Sequence, residues 1–145
     1  MTMMTPSATV FRATLLTILL LGVIGMGAEL LLLGHIEDVW QWEPLVMFAV
    51  GIPVLTWHAR MGSVWSRRFC VAVMAAFVAS GMIGLILHYR GNVEFELEMV
   101  PALRGIDLLQ KAMTGATPVL APGAMIILGL LGLLYAFLQD SHDLH

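Results

Sequence analysis

Two long apolar runs constrain what this chain can fold into more than any other feature. Residues 13–33 are apolar except at three positions, and residues 69–89 form a second run of the same length. A helix needs about 20 apolar residues to cross the hydrocarbon core of a bilayer. Shorter apolar runs cover residues 42–59 and 119–138. The pattern predicts an all-α integral membrane protein, a four-transmembrane-helix bundle that forms a single domain over residues 1–145.

The composition of the chain agrees with a membrane location. Only 12% of the residues are charged and 59% are hydrophobic, whereas soluble domains are about 25% charged. A soluble fold this apolar could not cover its surface, so we expect the lipid bilayer to surround it. The seven basic residues form no stripe, which argues against nucleic acid as a partner. The one cysteine, Cys70, cannot form an internal disulfide, which excludes a dithiol oxidoreductase.

The charged residues of the connections predict the orientation. The connection between the second and third runs contains Arg60, Arg67 and Arg68 and no acidic residue, whereas the one between the first two runs is acidic and contains no base. Cytoplasmic loops are enriched in Arg and Lys. We therefore expect a multi-pass protein of the cell (inner) membrane with both termini in the cytoplasm. Residues 90–118 then form a long external loop.

That external loop begins with an alternation of apolar and acidic residues. Over residues 93–99 (VEFELEM), three glutamates alternate with four apolar side chains. A period of two puts the carboxylates on one face of an extended segment. We predict an extended acidic segment that stays solvated, draws a cation with its glutamates, or docks a partner through Glu94, Glu96, Glu98, Phe95 and Leu97. On a helix, by contrast, Glu96 would point away from the other two glutamates.

A helical pattern follows in the same loop, over residues 101–114 (PALRGIDLLQKAMT). Leu103, Ile106, Leu109 and Met113 recur at helical spacing, and the charged side chains face away from them. We expect an interfacial amphipathic helix that lies flat in the external headgroup region.

Small residues recur along one face of two predicted spans. In the third span such a residue recurs at every fourth position, in the series Ala72, Ala76, Ser80, Gly84 and His88. In the first span, Gly22 and Gly25 share a face with Glu29. Small residues let membrane helices approach closely. We expect the first and third spans to pack together through these faces.

Glu29 lies about one turn inside the external end of the first span. An ionised carboxylate in hydrocarbon is costly, so it must face the bundle, be protonated or find a partner. His88 and Arg90, at the external end of the third span, are candidate partners. Simple packing and a proton or ion site are both compatible with this position.

Two histidines end spans on the external side, and acidic residues follow each of them. Imidazole and carboxylate groups together can ligate zinc, iron or copper, which gives a candidate metal set of His35, Glu37, His88 and Glu94. Alternatively, His35 and His88 could hold the iron of haem b from both sides. The spacing matches no established motif. His58, at the opposite interface, is expected to snorkel toward water.

The sequence contains no phosphate-binding loop, nucleophile elbow or metalloprotease motif, which favours a non-catalytic role. The first hypothesis is an accessory or assembly subunit of a larger membrane complex, in contact with other membrane subunits or in a homo-oligomer. The alternative is a haem- or metal-binding redox protein that uses His35 and His88. A further alternative is a proton or ion carrier that works through Glu29.

Overall fold

A computed structural model of the chain describes residues 6–34 and 36–138. All regular structure in this part of the chain is helical, and it contains no strand. The helices are α1 (Pro6–Leu32), α2 (Val39–Met61), α3 (Val64–Met99), α4 (Gly105–Met113) and α5 (Gly123–Phe137). By length and composition, α1, α2 and α3 can each cross a membrane, and α5 is a shorter apolar helix. The all-α class is confirmed for the described residues, and so is the presence of helices long and apolar enough to span a membrane.

Four of these helices pack in a closed ring. α1 contacts α2 and α5, and α3 contacts the same two helices, so α1 and α3 stand diagonally across the bundle. The core between them contains Leu19, Leu55, Met74 and Phe77. The rings of Phe48 and Phe77 pack edge-on with centroids 5.7 Å apart. Many large apolar side chains point outward, as on a surface that faces lipid tails.

A tight turn joins α2 to α3 at one end of the bundle. Gly62 ends α2 with a φ of 55°, and its N–H donates to the carbonyl of His58. Ser63 then caps α3 by accepting a hydrogen bond from the N–H of Ser66. Arg60, Arg67 and Arg68 lie near this turn, and Arg12 lies at the matching level of α1. We therefore call this end of the bundle the arginine-rich end. The α1–α2 connection and α4 lie toward the opposite end.

The predicted extended acidic segment is wrong, because Val93–Met99 continue α3. With 36 residues, α3 is about 54 Å long, well beyond the predicted span of residues 69–89. Glu, Leu and Met are strong helix formers, and no proline occurs between Val64 and Val100. Once formed, α3 therefore continues through the seven alternating residues 93–99. It stops at Val100, whose N–H donates to the carbonyl of Glu96.

Helix α4 is shorter than the predicted 101–114 and packs against α3. It begins at Gly105, which has a φ of 59°. Ala112 is buried, whereas Ile106, Leu109 and Met113 are exposed. The apolar face that the sequence predicts therefore points away from the protein. Its position in the headgroup region stays a prediction.

Of the predicted small face of α3, Gly84 packs against α5, whereas Ala72 and Ala76 are exposed. A Cβ added at Gly84 would lie 2.8 Å from the Cβ of Pro122, and one at Gly81 would lie 2.7 Å from Ile126. In α1, a Cβ at Gly22 would meet Leu128 of α5. The predicted pairing of α1 with α3 is wrong, because the ring places these two helices diagonally and α5 fills the space between them.

Candidate functional site

A layer of polar side chains lies inside the arginine-rich end, with one residue from each helix of the ring. His58 and Ser66 are 0% exposed, and Tyr135 is 2% exposed. The rings of His58 and Tyr135 meet edge-on at 5.7 Å. The guanidinium of Arg12 lies over the Tyr135 ring, 5.4 Å from its centroid. The layer thus ties α1, α2, α3 and α5 together at one depth.

The hydrogen bonds of this layer fix the direction in which protons are donated. The Ser66 hydroxyl donates to the carbonyl of Ser63 at 2.9 Å, and Nδ1 of His58 lies 3.1 Å from the same hydroxyl oxygen. With the hydroxyl proton donated to Ser63, the Nδ1–H tautomer of His58 donates to Ser66. In this arrangement the hydroxyl proton goes to a backbone carbonyl, and the His58–Ser66 contact joins α2 to α3.

The sequence analysis predicted the wrong position for the side chain of His58. It was expected to snorkel, but it is buried, and its Nε2 has no hydrogen-bond partner in the described part of the chain. Hydropathy gives the depth of a residue but not the direction of its side chain. One feature of the sequence did point to a buried His58: a polar residue occurs at the matching level of all four helices.

Glu29 does not face the bundle. Its side chain is exposed, and a Cβ added at neighbouring Gly25 would meet nothing within 4 Å. The expected partners His88 and Arg90 belong to α3, which stands diagonally from α1. The structure therefore leaves an open face on α1 that combines a small residue with a carboxylate.

His88 is half-buried, and its Nδ1 lies 3.0 Å from the carbonyl oxygen of Pro118. Since that oxygen can only accept, Nδ1–H is the donor in this contact. Glu37 and Glu94 are exposed. His35 lies outside the described residues, so its place relative to His88 stays a prediction.

The predicted docking residues lie on the last turns of α3 and are divided between two faces. Glu94, Glu98 and Phe95 are exposed, whereas Glu96 and Leu97 are partly buried. The carboxylate of Glu96 lies 3.8 Å from the ammonium of Lys111 in α4. The three glutamates therefore do not form one strip, since Glu96 faces α4 and the other two face outward.

Asn92 holds the α4 connection against α3, and the sequence analysis did not single it out. It is 2% exposed. Its Nδ2 donates to the carbonyls of Ala112 at 2.9 Å and Thr117 at 2.7 Å. Its Oδ1 accepts from the N–H of Thr117 at 3.1 Å. Gly115 lies against the amide, where an added Cβ would be 2.7 Å from the Asn92 Cγ.

Glu43 lies within the second turn of α2. Its carboxylate accepts a hydrogen bond from the Ser80 hydroxyl of α3. Ser80 also lies 3.7 Å from the sulfur of Met125 in α5. Ser80 therefore links α2, α3 and α5. Glu43 has a hydrogen-bond partner within the bundle, whereas the Glu29 side chain faces away from it.

No group of three or more His, Cys, Asp or Glu side chains that could hold a metal occurs within residues 6–34 and 36–138. Because His35 falls outside these ranges, the proposed set with Glu37, His88 and Glu94 is not tested as a whole. The metal and haem hypotheses stay predictions.

Comparisons with protein-family models, with curated proteins and with solved structures give no match. A function for this chain is therefore argued from its own residues. The open face of α1 at Gly25 and Glu29, and the charged groups of the arginine-rich end, are the features that packing alone does not require.

Proposed function

We propose that this protein is a non-catalytic accessory subunit of a larger membrane complex, with four membrane-crossing helices and both termini in the cytoplasm. One observation carries the proposal, namely the exposed carboxylate of Glu29 beside the open surface at Gly25. An ionisable side chain on an otherwise apolar membrane helix needs a partner. Another membrane helix that packs at Gly25 and donates a hydrogen bond to Glu29 would meet this need.

The depth of Glu29 supports a partner inside the bilayer. Glu29 follows Arg12 by 17 residues in the same helix, a rise of about 25 Å. Arg12 belongs to the polar layer at the arginine-rich end, and the hydrocarbon core is about 30 Å thick. If Arg12 marks one boundary, the Glu29 carboxylate lies about 5 Å inside the other.

The packing of α5 supports a fourth crossing. Its 15 residues measure about 22 Å. A series of i to i+3 hydrogen bonds over residues 118–125 extends the helical segment away from the arginine-rich end. α5 packs along α3 over most of its length. Gly84 of α3 meets Pro122 just before α5, and Gly132 of α5 meets Met74 of α3. With four crossings, the arginine-rich end faces the cytoplasm by the positive-inside rule.

The projecting part of α3 supplies a second surface for the same partner. It reaches about 15 Å beyond the end of the predicted span at residue 89. Glu94 and Glu98 lie one turn apart on it, and the Phe95 ring beside them is 51% exposed. A carboxylate pair next to an exposed aromatic ring fits a basic and apolar segment of a partner outside the membrane.

The first prediction is that the tagged protein, extracted in mild detergent, co-purifies with another membrane protein in a fixed ratio. Glu29→Leu and Gly25→Leu should each lower the recovered partner about tenfold, the equivalent of about 1.4 kcal/mol, since one removes the carboxylate and the other fills the contact surface. Quantitative mass spectrometry of the eluate measures the ratio.

Ala13→Leu is the matched control, because Ala13 is also exposed on α1 but lies at its arginine-rich end. It should leave the partner ratio unchanged. A monodisperse monomer or homodimer without a second protein would contradict the proposal, and so would equal losses in Gly25→Leu and Ala13→Leu.

A second candidate, a haem- or metal-binding redox protein, is favoured by the contact of His88 with Pro118. A histidine whose Nδ1–H is held by a carbonyl presents Nε2 in the manner of metal-ligating histidines. This candidate predicts haem bands or a stoichiometric metal in the purified protein, lost in His88→Ala. A colourless, metal-free preparation would eliminate it.

A further inference from the structure

A groove opens between α3 and α5 at the arginine-rich end. It has a volume of about 360 Å³ and is lined by Arg67, Arg68, Val71, Ala72 and Phe137. The two arginines lie at one mouth, in the first turns of α3, and the apolar residues continue from them along the helix. The groove is open along its length, with two arginines at one end and apolar side chains at the other.

The position of this mouth matches the interfacial zone of a bilayer. The guanidinium of Arg68 lies over the Trp65 ring, 5.3 Å from its centroid, and the ring of Trp57 packs against Phe69 at 5.7 Å. Tryptophan is enriched where the headgroups meet the hydrocarbon. Ala72 and Phe137, in contrast, are exposed apolar residues on the side of the hydrocarbon.

We propose that this groove binds one anionic phospholipid, with its phosphate on Arg67 and Arg68 and an acyl chain along Val71, Ala72 and Phe137. Charge complementarity selects the headgroup, because guanidinium groups bind phosphate oxygens through paired hydrogen bonds. Basic pockets between membrane helices on the cytoplasmic side recognise acidic headgroups in the same way. The lipid site requires that the helices lie in a bilayer, and it does not depend on the partner at Glu29.

The test uses native mass spectrometry of the full-length protein, released from bilayers that contain equal amounts of phosphatidylglycerol and phosphatidylcholine. The protein should retain one phosphatidylglycerol molecule, and the double variant Arg67→Gln, Arg68→Gln should lower this occupancy at least fivefold. Arg60→Gln is the matched control, since Arg60 is an exposed arginine of the same end outside the groove. It should retain the lipid.

A second pair of variants tests the acyl-chain part without a change of charge. Ala72→Leu fills the groove and should lower phosphatidylglycerol occupancy severalfold, whereas Ala49→Leu, at an exposed position of α2, should not. Equal occupancy in the double variant and in Arg60→Gln would overturn the site. Normal occupancy in Ala72→Leu, together with competition by millimolar inorganic phosphate, would show binding of an anion alone and overturn the lipid assignment.

Discussion

Replacing Gly129 by alanine is expected to destabilise the folded protein by about 1–3 kcal/mol, the usual cost of overpacking a close contact. The added Cβ would lie 2.7 Å from the carbonyl oxygen of Met74 and 3.0 Å from the backbone nitrogen of Val78. These are backbone atoms of α3, so no side-chain rotation can relieve the clash. α3 and α5 must move apart along the contact that small residues make possible.

The thermal unfolding midpoint in one detergent measures this effect, and Gly25→Ala is the control. Gly25 is also helical, but an added Cβ there would meet nothing within 4 Å. Its replacement should leave the midpoint unchanged or raise it, because alanine favours a helix over glycine. Equal midpoints for Gly129→Ala and Gly25→Ala would contradict the close packing of α3 on α5.

The membrane helices could be predicted from the sequence because hydropathy is a local property. The run at residues 13–33 needs no information about its neighbours to be recognised, and α1 covers most of it. The boundaries were less accurate. α2 begins at Val39 and not at residue 42, because Asp38 accepts hydrogen bonds from the N–H groups of Trp40 and Gln41 and caps the helix there.

The acidic segment could not be assigned correctly from its alternation. Seven residues span only about three and a half periods of a strand or two turns of a helix, too few for periodicity alone to decide between them. What decided the outcome is that α3 already had 29 residues before Val93, and adding a residue to an existing helix is far easier than starting a new element. The alternation of the glutamates therefore indicated nothing about the backbone.

The position of Glu29 shows a second limit of the sequence. Helical spacing correctly places Glu29 on the same side of α1 as Gly25, but it does not say whether this side faces the bundle. That depends on where α5 packs, and Gly22 meets Leu128 of α5 while Gly25 meets nothing. Which of two small residues is covered is a tertiary property, so the open face could only be found in the structure.

Replacing Asn92 by leucine is expected to release α4 and the residues after it from α3. Leucine fills a similar volume but leaves the carbonyls of Ala112 and Thr117 and one N–H without their partner. A loss of about 2 kcal/mol from these hydrogen bonds should raise the population of the open state about 30-fold. Trypsin cleavage after Arg104 and Lys111 should accelerate by the same factor, since proteolysis follows local opening.

Two further variants make the Asn92 experiment specific. Asn92→Asp keeps the acceptor for Thr117 but loses both Nδ2 donors, so its cleavage rate should lie at or near that of the leucine variant. Glu96→Gln removes only the ion pair with Lys111, whose side chain is 51% exposed; such pairs contribute at most about 1 kcal/mol, so cleavage should change less than about fivefold. If Glu96→Gln opens the connection as far as Asn92→Leu does, the buried amide contributes no more than the ion pair, which contradicts the prediction.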